Sequence, residues 1–144
     1  MKKLLGAAVA AVATVGVWAV PAEAASAVQI YRVYYDSPGK DTRSNTSLNG
    51  EWVQLFNTSR TSRQLRGYSL RDRTGYTYTF GTFTLKGRKS VYVHTGSGTN
   101  TATQRYWGRR SYVWNNTGDK AYLRYNGSTL DTCSWGSGGS STYC

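Results

Sequence analysis

Histidine occurs once in this chain, at His94, and cysteine twice, at Cys133 and Cys144. One imidazole and no CxxC pair leave nothing from which to assemble a structural zinc site. A Ser–His–Asp triad would have to be built around His94 alone. That residue stands where the run Ser90–His94 gives way to HTGSG, and its expected role is structural. A nucleophile elbow is missing too, because Gly96-Ser97-Gly98 lacks both its spacing and its strand-to-helix setting. No recognition helix or zinc motif is present to read a DNA sequence. After Val20 no apolar run is long enough to cross a membrane. The chain reads as a non-enzyme, with no catalytic residue, cofactor or metal assigned.

Acidic side chains are also few, 7 against 18 Lys and Arg, for a net charge of +11. At the N-terminus Lys2 and Lys3 precede an apolar run from Leu4 to Val20, followed by Pro21 and Ala22-Glu23-Ala24. That order is the secretory signal pattern. Residues 1–24 are expected to be a signal peptide, cut after Ala24 or alternatively after Ala27. The mature chain is then secreted and extracellular. Losing Lys2, Lys3 and Glu23 leaves 16 basic and 6 acidic side chains, a charge of +10 on the 120 residues 25–144. That length suits one domain with a real core. A charge of this sign attracts polyanions such as DNA, anionic wall polymers or acidic lipid surfaces. The competing reading is charge for solubility alone.

An even pair of cysteines in an oxidising compartment reads as a disulfide between Cys133 and Cys144. It would close a Gly- and Ser-rich loop and stabilise by ~2–3 kcal/mol. Its expected job is to tie a mobile tail onto the last strand.

No stretch shows a helical period. Val28–Tyr35 is dense in β-branched and aromatic residues, which favour a pleated, half-buried surface. In GEWVQLFN, Val53 and Leu55 share one face while Trp52, Gln54 and Phe56 share the other, as expected of a central strand. Period-two runs recur at Tyr68 and Leu70, at Tyr76, Tyr78 and Phe80, at Ser90–His94, and at Ala121, Leu123 and Tyr125. Asn126-Gly127 between two such runs predicts a tight hairpin. Residues 95–112 form the longest irregular region. Short strands, two prolines and sixteen glycines predict an all-β Greek-key sandwich. A closed barrel is the alternative.

The order of the pieces VQIYRVYYDSPGKD, NGEWVQLFN, LRGYSLRD, TGYTYTF, LKGRKSVYVHTGSG, WNNTGDKAYLRY and NGSTLDT resembles the lamin tail domain family. The resemblance implies a single immunoglobulin-like β-sandwich. Val53, Leu55, Leu70, Phe80, Val91, Leu123 and Leu130 would supply its core. Family members occur in nuclear lamins and in exported bacterial proteins, often beside hydrolase domains, where they are similar to adhesion or tethering modules. A bacterial, secreted member is implied here, with no shared catalytic constellation. The chain departs from the pattern by showing no second domain and by adding the tail CSWGSGGSSTYC.

The six carboxylates after residue 24 are scattered, and each has a local explanation. Asp36 and Asp41 bracket a turn, Glu51 and Asp72 flank strands, Asp119 opens one, and Asp131 completes the set. Asp36, Asp41 and Glu51 would suit calcium as hard ligands, but the loop lacks a dedicated calcium pattern. The arginines cluster more clearly. One group is Arg60, Arg63, Arg66, Arg71 and Arg73; another is Arg105, Arg109 and Arg110 around Tyr106 and Trp107. A planar guanidinium suits phosphate, and a neighbouring ring can stack a base or sugar. The competing view of RYWGRRSYVW is a solvated loop whose Trp107 and Trp114 cover the end of the sandwich. Twelve tyrosines fit a wet sandwich boundary; exposed on one sheet, they would make a carbohydrate or protein contact surface. The expected function is a secreted binding or adhesion module that contacts a polyanion through an Arg/aromatic surface. A protein-interaction domain is the alternative, and a small hydrolase comes last.

Overall fold

The computed structural model describes residues 26–144, and the signal peptide expected over residues 1–24 lies outside them. Eleven strands and one short helix follow in order. They are β1 (Val28–Tyr34), α1 (Asn45–Asn49), β2 (Trp52–Asn57), β3 (Arg63–Gln64), β4 (Ser69–Arg71) and β5 (Thr77–Thr79). Then come β6 (Thr84–Leu85), β7 (Ser90–His94), β8 (Gln104–Tyr106), β9 (Asp119–Tyr125), β10 (Ser128–Trp135) and β11 (Ser141–Tyr143). A five-stranded sheet in the order β11-β1-β2-β7-β8 packs on a four-stranded sheet in the order β10-β9-β4-β5, with β3 and β6 as a small separate pair. This is an immunoglobulin-like β-sandwich.

The alternation written in the sequence decides the core. Val53 and Leu55 of β2, Val91 and Val93 of β7, Leu70 of β4, and Ala121 and Leu123 of β9 all point inward and are buried. Phe80, Phe83, Leu65, Val113 and Trp114 join them from the connecting segments. Each large apolar side chain removed from water contributes about 1.5–3 kcal/mol. β2 lies between β1 and β7, as a strand with bulk on both faces should. Six of the seven core residues implied by the resemblance are buried, while Leu130 is only partly so. It falls in a register shift between Thr129 and Asp131 that carries it out of phase.

A second bulge, between Ile30 and Arg32, sends Tyr31 and Arg32 outward and returns Val33 to the core. The two bulges are tied together, since the Ile30 N–H donates to Asp131 Oδ2 at 2.8 Å. The Asn126-Gly127 hairpin is present, both residues at positive φ (50° and 76°), as a two-residue primed turn demands.

Three segments differ from the sequence reading. The polar loop before Asn49 contains α1, capped by Ser44 Oγ accepting from Ser47 N at 3.1 Å. The region read as irregular contains β8, which runs parallel to β7. The tail beyond Trp135 is itself a strand, β11, paired with β1. Cys133 lies in β10 and Cys144 follows β11, so their disulfide joins the two sheets across the sandwich.

Candidate ligand-binding faces

With Leu70, Ala121 and Leu123 turned inward, alternation must turn Ser69, Arg71, Lys120, Tyr122 and Arg124 outward. Ser69 sits opposite Arg124, and Arg71 lies between Tyr122 and Thr77. The outer face of the four-stranded sheet is therefore built of guanidinium, ammonium and hydroxyl groups. Two hollows of about 310 and 220 Å³ share Arg71 and Arg124. The first is lined by Ser69, Thr77 and Thr79, and the second by Arg73, Tyr122 and Thr129. Arg124 Nη2 donates to Gly127 O at 2.7 Å, while its buried Nε has no protein partner. Lys120 Nζ lies 5.2 Å from the centre of the Tyr122 ring.

The arginines grouped by sequence occupy different places. Arg60, Arg63, Arg66 and Arg73 are exposed, and Arg71 is half-buried on β4. Arg63 belongs to β3, apart from Arg71 and Arg73 beside the four-stranded face. In the second group, β8 turns Arg105 inward across Phe83, its guanidinium carbon 4.2 Å from the ring centre. Arg109 lies 4.1 Å over Tyr76, and Arg110 is exposed. Tyr106 stacks on His94, and Trp107 packs against Tyr78 and Trp114. The string thus lines the edge where β8 of one sheet meets β5 of the other. Arg124 and Lys120 were not singled out from sequence, although the alternation of Ala121 and Leu123 implied that Lys120, Tyr122 and Arg124 share the opposite face.

Each side-chain carboxylate accepts at least one hydrogen bond within the protein. Asp72 accepts from Thr74 Oγ1, Gly75 N and Tyr76 N at 2.7–2.8 Å. Asp119 accepts from the backbone N–H groups of Arg73, Asn115 and Lys120. Asp131 accepts from Ile30 and Thr132 N–H groups. Asp36 and Asp41 share the Asn116 side-chain amide at 3.1 and 3.5 Å. Glu51 Oε1 accepts from Thr95 Oγ1 (2.7 Å), Val113 N (2.8 Å) and Trp114 N (3.2 Å). Burial pushes the Glu51 carboxyl up to about 7, against the pull of those three bonds and with a small push from Asp41. Glu51 is held by its own bonds and does not join Asp36 and Asp41. Among the described residues no three His, Cys, Asp or Glu side chains are grouped to hold a metal ion.

The outer face of the five-stranded sheet is aromatic. Tyr31 and Tyr34 of β1, Trp52 and Phe56 of β2, Tyr92 of β7, Tyr106 of β8 and Tyr143 of β11 project there in contacting pairs. Arg32 lies among them, its guanidinium carbon 4.5 Å from the Tyr143 ring centre and 5.7–5.8 Å from those of Trp52 and Tyr34. His94 has both ring nitrogens occupied, Nδ1 2.8 Å from Asn49 O and Nε2 2.5 Å from Gln104 Oε1. It is a strand-end brace, as its position at HTGSG predicts.

The lamin tail domain family model matches residues 21–137. The chain belongs to the lamin tail domain family. No curated protein matches it. The matched stretch runs from residue 21 through β10, so in this lamin tail domain β11 and Cys144 lie beyond it. The family's immunoglobulin-like fold makes this an interaction module in architecture. No helix among the described residues is long and apolar enough to cross a membrane.

Proposed function

We propose that this lamin tail domain is a secreted, non-catalytic module, residues 25–144, that binds a phosphodiester polyanion, either DNA or an anionic wall polymer. One observation carries the reading. Every side-chain carboxylate of residues 26–144 is taken up by backbone N–H groups, hydroxyls or an amide. None of these carboxylates bonds to a Lys or Arg side chain, so the basic groups are left to solvent, aromatic rings and neutral oxygens. Arg71, Arg73, Lys120 and Arg124 then grip phosphates beside Ser and Thr hydroxyls, as phosphate contacts position a polymer without reading its sequence. Arg105, Arg109 and Arg110 form a second basic patch at the sheet edge, with Trp107 beside them and Tyr106 on the opposite side of β8, and Arg60, Arg63 and Arg66 add exposed charge.

The test is binding of labelled duplex DNA and of an anionic wall polymer over a salt series. Counterion release gives a log–log slope of about −0.9 per neutralised phosphate on duplex DNA. The double substitution Arg71→Gln/Arg124→Gln should weaken binding and make the slope shallower by about 2. A slope unchanged by that pair and by Arg105→Gln/Arg109→Gln/Arg110→Gln would reject a polyanion site.

The aromatic face favours a second reading, an extracellular protein partner. Trp, Tyr and Arg are the residue types that dominate protein contact energies, and Arg32, Trp52 and Tyr34 meet at one point. Trp52→Ala should abolish capture of such a partner and leave DNA binding unchanged.

A further inference from the structure

The connection between β7 and β8 leaves a space that the polyanion reading does not use. These strands run parallel, yet residues 95–103 join them without a helix. β8 begins opposite Tyr92, whose N–H donates to Thr103 O at 2.9 Å. Toward Ser90 the strand β7 therefore has no β8 residue beside it. The gap is a hollow of about 480 Å³ between the β6–β7 turn and Ala102-Thr103. Small-molecule sites span ~300–1,000 Å³ and have apolar walls with a few polar groups.

The wall here is mostly apolar and presents Tyr92 and Ala102, with Lys86 and Lys89 at its side and no acidic residue lining it. Both lysines are exposed. An apolar wall offers nothing to a phosphate polymer, and two ammonium groups offer nothing to a neutral apolar molecule. Both features together fit an anion with an apolar body. Tyr92 is the one aromatic ring in the wall, so no second ring is present to sandwich an aryl group, and an alkyl chain fills the space better.

We infer that this hollow binds an alkyl carboxylate, its acid head between Lys86 and Lys89 and its chain against Tyr92 and Ala102. The site shares no residue with the basic faces assigned to the polyanion and meets the aromatic face only at Tyr92, so it stands or falls independently of the polyanion reading.

Octanoate is the probe, titrated into isotopically labelled protein at physiological salt and followed by amide NMR. The amides of Ser90, Tyr92, Ala102 and Thr103 should shift together and saturate with one dissociation constant. Octanol, which lacks the charge, should bind about tenfold more weakly, the scale that two exposed ion pairs allow. Lys86→Gln/Lys89→Gln should lower octanoate affinity to that of octanol. Ala102→Trp, on an exposed loop, should fill the hollow and remove binding while leaving the rest of the spectrum unchanged. Shifts that scatter without saturating would overturn the assignment. So would octanol binding as tightly as octanoate, or the lysine variant binding octanoate as wild type does. The lysine pair tests the site even where Ala102→Trp disturbs folding.

Discussion

Replacing Glu51 by glutamine keeps an oxygen where Thr95 Oγ1, Val113 N and Trp114 N converge, and removes the titrating proton. Burial is the largest influence on this group, raising its pKa from 4.5 to about 7. Its second oxygen, Oε2, is buried and has no protein partner, which is where a proton would reside. In the unfolded chain the carboxyl ionises near 4.5. Between that value and about 7 the folded state holds a proton that the unfolded state has released. More protons on the folded state mean that stability falls as pH rises. Below 4.5 both states are protonated and the burden is absent; above about 7 both are ionised and it is complete. At about 1.4 kcal/mol per unit, the raised pKa is equivalent to about 3 kcal/mol.

Guanidinium unfolding of wild type and Glu51→Gln, disulfide intact, at half-unit steps from pH 4.5 to 8 reads this directly. The stability of wild type relative to the variant should fall by about 3 kcal/mol across the series, with most of the change between pH 5 and 7. A difference that stays flat, or that grows in favour of wild type with rising pH, would refute the reasoning. The absolute curve of either protein is not the test, because other carboxylates titrate in both.

Three further outcomes are expected. Cys144→Ser should lower stability by about 3 kcal/mol and raise exchange of the backbone amide at position 144, which donates to Tyr31 O; melting curves and exchange read the two effects separately. Leu55→Ala, at a site with no solvent exposure, should cost about 2–5 kcal/mol in denaturant titrations. Gly127→Ala places a Cβ at φ 76° and should cost about 1 kcal/mol, with no loss of the sheet's circular-dichroism signal.

What could be read from the sequence was whatever the period of two controls. β2, β7, β9 and the β9–β10 hairpin stand where apolar alternation and Asn126-Gly127 put them. The features that escaped have physical reasons. α1 is five residues of polar chain with no apolar stripe, held by the Ser44 cap. β8 has three half-buried residues, Gln104, Arg105 and Tyr106, so no alternation marks it, and its parallel neighbour is fixed by tertiary packing. The bulges at Tyr31 and Leu130 shift the phase within a strand, which is why Arg32 faces outward and Leu130 is only half covered. Arg105 and Arg109 could be grouped by proximity in sequence, but which way each points depends on Phe83 and Tyr76, more than twenty residues earlier.

The staple at Cys133–Cys144 does more than shorten a loop. It anchors β11 to β10 of the opposite sheet, and β11 supplies Tyr143 and Ser141 to the aromatic face. Arg32 depends on both. Its Nη2 donates to Ser141 Oγ at 2.9 Å, and Tyr143 is the nearest of its three rings. Without β11 the guanidinium would keep only Tyr34 and Trp52, each more than 5.5 Å away, and the β1 edge would lie open to pairing. The strand beyond the family's matched region therefore bears on what the aromatic face presents, while the apolar core between the sheets is complete without it. Loss of the disulfide should accordingly alter recognition at the Arg32 face well before it alters the four-stranded face, where Arg71 and Arg124 are fixed by β4, β5, β9 and the β9–β10 turn.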